Sequence, residues 1–419
     1  MAEYADPVDP REGLIEYAAF TGLRNNVSPE SFSRGDLVTA LNVDLDDAGG
    51  ISRRKGYSAP VAASVDRSLW ASGPVCLGVG SNALKLVYPD YTTKTLMSGL
   101  TASRALSYAA VGDRVFWSNG VELGCVQNGA NRSWGITPPG LPAVSAGPGT
   151  LAAGKYQVAV TYLRDDLQES GTGMAVAIEL TAVGGLSLSS IPVSTDATIT
   201  HKIIYAAPVG GEVLYSAGGI ANADTTFLID EVRVNASPLA TQFLSPPPAG
   251  DYIAYWKGWM LVANGNRLYP SEPYAPELFD LRKSVPFLDS ITMLAPLLHK
   301  GAGGVWLGTG TQIVFVSGES PEQWVYQPAA EYGVIPGTLA YGDGELIGDA
   351  SMKGVVVAFF ATKQGLCVGL PDGSLVNLTQ GKYAYPVQER GAGVVRRHRG
   401  IAQFLVTMQG SETAGNVAA

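Results

Sequence analysis

Two short clusters of basic residues are the groups in this sequence best suited to bind a charged partner. They are Arg53-Arg54-Lys55 and Arg396-Arg397-His398-Arg399. Basic side chains at this spacing contact nucleic-acid phosphates, and they also form salt bridges to carboxylates of a neighbouring subunit. The chain carries a net charge of −9, which disfavours a protein that grips duplex DNA. A subunit interface is therefore favoured, with a DNA-facing role as the alternative, for Arg53, Arg54, Lys55, Arg396, Arg397 and Arg399.

An acidic turn follows a short alternating strand near the start of the chain. Asp44, Asp46 and Asp47 precede Gly49-Gly50, and together they superficially resemble an oxygen-rich calcium loop. The distant glutamate that completes such a loop is missing. A polar turn between two strands is the favoured interpretation, and we expect no metal and no cofactor.

The residues that commonly perform catalysis are scattered. The three histidines are His201, His299 and His398, and the three cysteines are Cys76, Cys125 and Cys367, each in an apolar segment. Buried, reduced thiols and ordinary histidines are favoured over metal ligands or nucleophiles. A glycosidase needs two carboxylates about 5–10 Å apart. Asp113, Asp230, Glu272, Asp280, Asp343 and Asp349 are available, but no spacing marks two of them as partners. We predict no catalytic residue and a protein that is not an enzyme.

A strand–turn–strand pattern recurs along the chain and indicates a repeated β-hairpin. Its copies lie at 112–123, 257–269, 303–314 and 353–368, with turn glycines at 120, 265, 310 and 365. The last two intervals, of 45 and 55 residues, fit four-stranded propeller blades. Trp117, Trp259 and Trp306 occupy similar places in the copies, so we expect all three in blade cores and a large loss of stability in Trp259→Ala.

The first interval of 145 residues leaves room for an inserted domain of about 95 residues beyond one blade. Alternation from Tyr156 places Tyr156, Val158, Val160 and Tyr162 on one face of a strand, and about seven short strands follow in all. The sequence thus predicts an all-β chain in which a β-propeller-like domain carries an inserted β-sandwich. The predicted parts are an N-terminal arm (1–40), a discontinuous propeller-like domain (41–146 and 244–409), an immunoglobulin- or fibronectin-like sandwich (147–243) and a C-terminal tail (410–419). Pairing of the N- and C-terminal strands in one blade would close the ring of blades.

Three stretches between about residues 20 and 280 carry a family resemblance. They are Leu23–Pro29 running into Asn42–Asp46 and Gly50–Tyr57; Gly154–Tyr162 followed by Glu169-Ser170-Gly171; and Pro246–Gly250 followed by Gly265–Tyr269 and Ser271–Phe279. Their pattern resembles the tail hub and nozzle propeller proteins of short-tailed bacteriophages. The resemblance implies a virion protein of the tail, made in the host cytoplasm, and it brings no catalytic residue with it.

The function expected from the resemblance is structural. The chain would form a ring with itself, with six copies as the expected number, at the distal tail. Double-stranded DNA would cross the lumen, and the ring would dock other tail proteins such as an adaptor, a fibre or a plug. Nozzle, hub and fibre adaptor remain open as positions. A carbohydrate-binding or carbohydrate-cleaving propeller adhesin is the alternative. No apolar run approaches the length of a membrane span.

Overall fold

The computed structural model describes residues 19–33, 35–40, 43–46, 48–54, 65–383, 389–398 and 401–409. This part of the chain contains no α-helix, and its helical geometry is limited to short 3₁₀ turns at Pro29–Ser31, Pro321–Gln323, Gly344–Ile347 and Ala350–Met352. The chain is all-β, with a propeller-like part and an inserted β-sandwich, so the predicted fold class is confirmed. One compact unit comprises Met1–Pro60, Leu297–Ser317 and Val325–Ala419, and the other comprises Val61–Pro296 and Gly318–Trp324.

The described chain opens with two pairs of very short strands. They are β1 (Gly22–Leu23) with β2 (Asp36–Leu37), and β3 (Val43–Leu45) with β4 (Ile51–Arg53). The first pair is parallel and the second is antiparallel. The first pair lies in the segment predicted as an N-terminal arm, of which residues 1–18 lie outside the described residues.

Two four-stranded sheets follow, and in each sheet every strand is hydrogen-bonded to the next along the chain. Blade 1 consists of β5 (Arg67–Ser72), β6 (Val75–Gly80), β7 (Ala83–Val87) and β8 (Thr93–Ser98); blade 2 consists of β9 (Ser107–Val111), β10 (Arg114–Ser118), β11 (Leu123–Gln127) and β12 (Ala130–Arg132). Leu77, Leu84 and Trp117 belong to one apolar core that joins the two blades.

The inserted sandwich contains seven strands in two sheets. They are β13 (Ala143–Leu151), β14 (Gly154–Arg164), β15 (Val176–Leu180), β16 (Gly184–Ser189), β17 (Ile199–Ala206), β18 (Tyr215–Ala221) and β19 (Phe227–Ile229). The sheet orders are β13-β16-β19 and β15-β14-β17-β18. Tyr156, Val158 and Val160 share the core between the sheets with Leu186 and Ile229, which confirms the predicted alternation for these three residues. Tyr162 is also buried but lies in a separate small core with Ile136 and Ile199.

Three further blade-like sheets follow the sandwich with the same strand order. Blade 3 consists of β20 (Tyr252–Trp256), β21 (Trp259–Asn264), β22 (Arg267–Pro270) and β23 (Val285–Pro286); blade 4 of β24 (Ile291–His299), β25 (Ala302–Thr309), β26 (Ile313–Ser317) and β27 (Val325–Ala330); and blade 5 of β28 (Ala340–Asp343), β29 (Val356–Thr362), β30 (Gly365–Gly369) and β31 (Leu375–Asn377). The four predicted hairpin copies are confirmed as the second and third strands of blades 2 to 5.

Blades 2 and 3 pack against each other although the sandwich separates them in sequence. Phe116 of β10 and Met260 of β21 lie in one core with Trp134 and Phe279. The Ser118 hydroxyl donates to the Gly250 carbonyl at 2.7 Å and accepts from the Gly250 amide at 3.0 Å. The sandwich is therefore an insertion between two blades that are neighbours in space.

The tryptophans of the repeated hairpins do not occupy one equivalent position, which corrects the sequence prediction. Trp117 and Trp306 are both fully buried, but Ser118 pairs with Leu123 whereas Gly308 pairs with Ile313. Counted from these pairs, Trp306 corresponds to Phe116, one residue from Trp117, so the two tryptophans face opposite sides of their sheets. Trp259 begins β21 at a tight turn and is only half-buried, because the core position beside it is taken by Met260.

The two hairpin loops at Asn-Gly pairs differ in length and in where the asparagine lies. Asn119 and Gly120 begin a four-residue loop, and Gly265-Asn266 forms a two-residue loop in which the glycine has a φ of +56°. Of each Asn-Gly pair only the glycine has a positive φ. A two-residue turn with positive φ at both positions occurs instead in blade 1, at Ser81 (+53°) and Asn82 (+54°).

The two ends of the chain form separate ribbons in the described residues. The last ribbon pairs β32 (Arg390–His398) with β33 (Ile401–Gln409) over nine residue pairs. Strand β3 pairs with β4 and not with either of these strands, so the expected shared blade of N- and C-terminal strands is not found in the described chain. The predicted tail, 410–419, lies outside the described residues.

Candidate functional site

The first basic cluster lies at the end of the β3–β4 hairpin. The Asp46 carboxylate accepts the backbone amides of Ala48 at 3.0 Å and Gly50 at 2.6 Å, which holds the tight turn between the strands. This geometry agrees with the polar turn that the sequence favours. Asp47 lies outside the described residues.

The structure brings the two basic clusters together on one carboxylate. Arg54 Nε donates to Asp44 Oδ1 at 3.0 Å, and Arg396 Nη2 donates to Asp44 Oδ2 at 3.0 Å. Arg396 also donates to Gln403 Oε1, its cross-strand partner in the terminal ribbon, from Nε at 3.0 Å and from Nη2 at 2.8 Å. Arg54 and Arg396 therefore form hydrogen bonds within their own chain that fix the terminal ribbon to the β3–β4 hairpin.

The remaining residues of the clusters are placed differently. Arg53 is exposed on β4, and Arg397 is 63% exposed with its nearest carboxylate, Glu345, at 4.0 Å. Both side chains are accessible to a charged partner. Lys55 and Arg399 lie outside the described residues. The assignment of these clusters to a subunit interface or to DNA stays a prediction.

The candidate catalytic groups are mostly engaged in turns and ion pairs. Asp343 and Asp349 accept backbone amides at the start of two 3₁₀ turns, and Asp113 accepts a hydrogen bond from the Gln127 side chain. Two groups are in ion pairs: both oxygens of Asp280 accept from Arg282 at 2.8 Å, and Glu272 lies 3.6 Å from Lys283. The Arg282 hydrogen bonds hold the pKa of Asp280 below its usual value. Asp230 is exposed just after β19.

The histidines and cysteines do not converge on a site. In the described part of the chain, no three His, Cys, Asp or Glu side chains are grouped so that they could hold a metal ion. Cys125 and Cys367 are buried and Cys76 is half-buried, all with free thiols. Burial raises the pKa of Cys125 to about 12, so this thiol is protonated and unreactive at neutral pH.

Two arginines, one of them buried, connect the sandwich to blade 2, and sequence reasoning missed them. Arg164, at the end of β14, is 3% exposed; it donates to both oxygens of Asp166 at 3.0 and 2.8 Å and to the Ser133 carbonyl at 3.0 Å. Arg132, at the end of blade 2, donates to both oxygens of Asp165 at 2.9 Å. Paired planar hydrogen bonds of this kind fix orientation as well as distance. We call these four charged residues the arginine joint.

The Glu169-Ser170-Gly171 segment of the family resemblance has a structural role beside the arginine joint. Glu169 accepts the hydroxyls of Thr161 at 2.6 Å and Tyr205 at 2.7 Å. Ser170 is fully buried and accepts the Tyr162 amide through its hydroxyl. A Cβ atom at Gly171 would collide with the Leu244 carbonyl, so only glycine allows the segment that leaves the sandwich to pass this close.

An aromatic group lies at the turn between β20 and β21. Trp256 and Trp324 are both buried, and their ring centroids are 6.4 Å apart. The Lys257 ammonium lies 5.2 Å from the centroid of the Trp256 ring and also binds Glu319. Tyr274 is 81% exposed and covers Gly258, where an added Cβ would come within 3.0 Å of the tyrosine ring. Tyr274 with half-buried Trp259 is the most exposed aromatic surface of this turn.

Comparisons with known proteins give no family for this chain. No family model matches the sequence, and no curated protein matches it. Among solved structures, an auxiliary nutrient binding protein from Bacteroides thetaiotaomicron is similar with a TM-score of 0.33 and 8% identity, covering 82% of this chain and 66% of that one. BBS1N, solved in complex with ARL6DN, is similar with a TM-score of 0.33 and 11% identity, covering 84% of this chain and 93% of that one. Similarities this weak carry no argument, and the fold class rests on the strands described above. No helix in the described residues is long and apolar enough to cross a membrane.

Proposed function

We propose that this chain is a non-enzymatic structural protein of a bacteriophage tail, a self-assembling hub or nozzle component at the distal end. Copies of the chain, six as the expected number, form a ring through which double-stranded DNA leaves the virion. The propeller-like part supplies rigid walls, and the sandwich supplies a lateral docking surface for an adaptor, a fibre or a plug. The sequence resemblance to tail hub and nozzle proteins supports this position.

The arginine joint is the observation that carries the structural role. Domains joined within one chain move relative to each other by default unless their contact is extensive. Here Arg132 of blade 2 makes a two-point contact with Asp165 of the sandwich, and Arg164 of the sandwich donates to the Ser133 carbonyl just after blade 2. A domain that docks a fibre or a plug at a fixed place needs a fixed orientation relative to the ring, whereas an isolated binding module does not.

The surface composition also favours assembly. Only 16% of the residues are charged, and large apolar side chains are exposed in loops and strands, among them Leu167, Met174, Leu288 and Val325. Scattered exposed apolar residues are normal, but their number in a chain of low charge is typical of a surface that is covered in an assembly.

Gold-labelled antibody imaging of intact virions tests the proposal. We expect label in one compact cluster at the tail tip or hub, and a symmetry-resolved reconstruction of that tip should then show a ring. Virions without any label would contradict the structural assignment. Label along outlying fibres would favour the second candidate function.

The second candidate is a carbohydrate-binding or carbohydrate-cleaving adhesin, which the exposed Tyr274 beside Trp259 favours. Aromatic faces on exposed turns are suited to stack on sugars. In this case Tyr274→Ala abolishes binding to host surface glycans in an immobilised-glycan assay, whereas Tyr91→Ala, at a 55% exposed tyrosine of blade 1, leaves it unchanged. Equal glycan signals for wild type and both variants would exclude a role for Tyr274.

A further inference from the structure

Two buried tryptophans beside the turn between β20 and β21 differ from other buried tryptophans in their indole N–H groups. The Nε1 atoms of Trp117, Trp134 and Trp306 each donate to an oxygen, at 2.8, 2.8 and 3.0 Å. Trp256 and Trp324 are 3% and 7% exposed, and their Nε1 atoms have no acceptor in the described part of the chain. Buried indole donors are normally satisfied, because a buried donor without a partner destabilises the fold. An acceptor supplied by a ligand would satisfy both groups.

The two unpaired donors belong to one aromatic group. The ring centroids of Trp256 and Trp324 are 6.4 Å apart. Half-buried Trp259 lies at the same turn, and the amide of exposed Tyr274 donates to the Gly258 carbonyl there at 2.7 Å. Aromatic faces combined with N–H donors suit a sugar, whose flat C–H faces stack on rings and whose hydroxyls accept hydrogen bonds.

The loop between β26 and β27 contacts this group through Glu319. The Lys257 ammonium donates to the Glu319 carboxylate at 2.6 Å and lies 5.2 Å from the centroid of the Trp256 ring. Trp259 Nε1 donates to the Glu319 carbonyl at 3.3 Å. The Glu319 side chain is 76% exposed, whereas that of Lys257 is 18% exposed. Because the glutamate is the solvated partner, its carboxylate leaves the lysine at little cost, and another carboxylate can take its place.

We propose that this turn is a binding site for an acidic saccharide, and that Glu319 is an internal carboxylate that keeps the site closed. On binding, the sugar carboxylate replaces Glu319 on Lys257, and a sugar ring stacks on the exposed face of Tyr274. Sugar hydroxyls accept from the indoles of Trp256 and Trp324. Both indole nitrogens are shielded from solvent, so the β26–β27 loop has to move before a ligand reaches them.

A saccharide fits these groups better than an acidic peptide does. Either ligand would bring a carboxylate to Lys257. The two unpaired indole donors and the exposed tyrosine ring, however, match a ligand that carries several hydroxyls on flat C–H faces. The inference rests on the second candidate function, which it deepens by naming the charge of the sugar, and it is independent of the tail role.

Isothermal titration calorimetry of the full chain with a short oligogalacturonate tests the site. The matched neutral probe is the same oligomer with its carboxyl groups methyl-esterified. Glu319→Gln removes the charge that competes for Lys257, so we expect it to bind the acidic oligomer about tenfold more tightly than wild type does. Glu231→Gln removes an exposed carboxylate from Arg233 in the sandwich and should bind like wild type. Lys257→Met should lose the preference for the acidic oligomer over its ester. Circular dichroism verifies that each variant is folded.

Trp324→Phe separates a role in binding from a role in packing. Its control is Trp306→Phe, which loses the same side-chain volume but also the hydrogen bond to the Leu370 carbonyl. We therefore expect Trp306→Phe to have the lower urea midpoint of the two. Combined with Glu319→Gln, only Trp324→Phe should weaken binding of the oligogalacturonate.

Several outcomes would overturn the acidic site. They are equal affinity of wild type and Glu319→Gln, equal affinity for the free and esterified oligomers, absence of binding in Glu319→Gln, and unchanged binding in Trp324→Phe. An oligoglutamate that competes as well as the oligogalacturonate would assign the site to an acidic peptide and overturn the saccharide.

The failure of this inference is distinguishable from the failure of the adhesin function. Binding of free and esterified oligomers alike, lost in Tyr274→Ala, would remove the acidic site and keep the adhesin. Tight binding of the oligogalacturonate by Glu319→Gln without any binding of host surface glycans would keep the site and remove the adhesin.

Discussion

At the scale of single residues, the arginine joint decides how the sandwich is held. Arg164 is buried with a 4% exposed side chain and satisfies the 23% exposed Asp166 carboxylate together with the Ser133 carbonyl. Removing Arg164 leaves the partly buried Asp166 charge with only the more distant Arg132, at 3.7 Å, which costs stability. Surface pairs have no comparable penalty, because water replaces the lost partner.

We therefore expect Arg164→Leu to lower the free energy of unfolding by about 3 kcal/mol. Urea denaturation followed by tryptophan fluorescence measures this change. The matched control is Arg233→Leu, which removes an arginine from an exposed pair with Glu231 in the same sandwich. Its denaturation midpoint should equal that of wild type, and equal midpoints for both variants would show that the joint does not stabilise the sandwich.

The joint also predicts a pH dependence. Burial raises the pKa of the Asp166 carboxyl, but the hydrogen bonds and charge of Arg164, the Gln168 amide and the charge of Arg132 together hold that pKa below its usual 3.8. A carboxyl with a depressed pKa in the folded state contributes stability above its unfolded pKa and loses it as the pH falls through the folded one. At neutral pH, Asp166→Asn should thus be less stable than wild type. The difference in free energy of unfolding between the two proteins should decrease as the pH falls below 3.8.

Unfolding midpoints of both proteins between pH 7 and pH 2.5 test this. Other carboxylates titrate in both proteins alike, so the difference between the two curves isolates Asp166. A gap that stays constant over this range would mean that the ionised carboxylate of Asp166 does not contribute.

At the scale of the element, a buried polar residue at the end of the second strand, or directly after it, shapes the hairpin loop in several blades. Thr309 is fully buried, and its hydroxyl accepts the amides of Thr311 at 3.2 Å and Gln312 at 3.0 Å; Asn119 plays the same part in blade 2. Thr309→Val keeps the shape and removes the acceptor, so we expect a loss of about 1–3 kcal/mol in stability. Thr309→Ser keeps the hydroxyl and should retain most of that stability in the same urea measurement. A serine variant as unstable as the valine variant would assign the effect to the lost methyl group instead.

The strand register of the blades gives a second prediction at this scale. Trp306 is fully buried and its Nε1 donates to the Leu370 carbonyl at 3.0 Å, whereas half-buried Trp259 donates to the Glu319 carbonyl at 3.3 Å. Trp306→Ala should lower the free energy of unfolding by about 3–5 kcal/mol, as expected for a large core cavity. Trp259→Ala should lower it by less than half as much. Equal losses in thermal or urea unfolding would contradict the register described for blade 3.

At the scale of the whole molecule, the proposed contact between copies predicts how assembly responds to salt. Only 16% of the residues are charged and large apolar side chains are exposed, so apolar side chains are expected to provide most of the contact between copies. Raising NaCl from 0.1 to 1 M shortens the screening length from about 10 to about 3 Å and weakens contacts between exposed charges. We expect the mass of the wild-type assembly to be unchanged over this range in light scattering. Dissociation at high salt would indicate an interface built from Arg53 or Arg397 instead.

The sequence by itself determined the fold class and the main hairpins. The turn glycines at 120, 265 and 310, Gly365 at the start of β30 and the alternation from Tyr156 are local signals. A strand's side chains alternate, and a turn's backbone restricts its residues within a few positions. The insertion between blades 2 and 3 also followed from spacing alone. These features depend on short-range geometry, which the order of residue types records directly.

Tertiary structure alone decided which residues share a face and which charges meet. A slip of one residue moves a side chain to the other face of a sheet, so Trp117, Trp259 and Trp306 look alike in sequence but differ in their surroundings. Asp44 meets Arg396 across 352 positions, and Arg132 meets Asp165 across 33. Ion pairs between distant segments leave no periodic trace in the sequence, because only the folded path of the backbone sets the distance between their side chains.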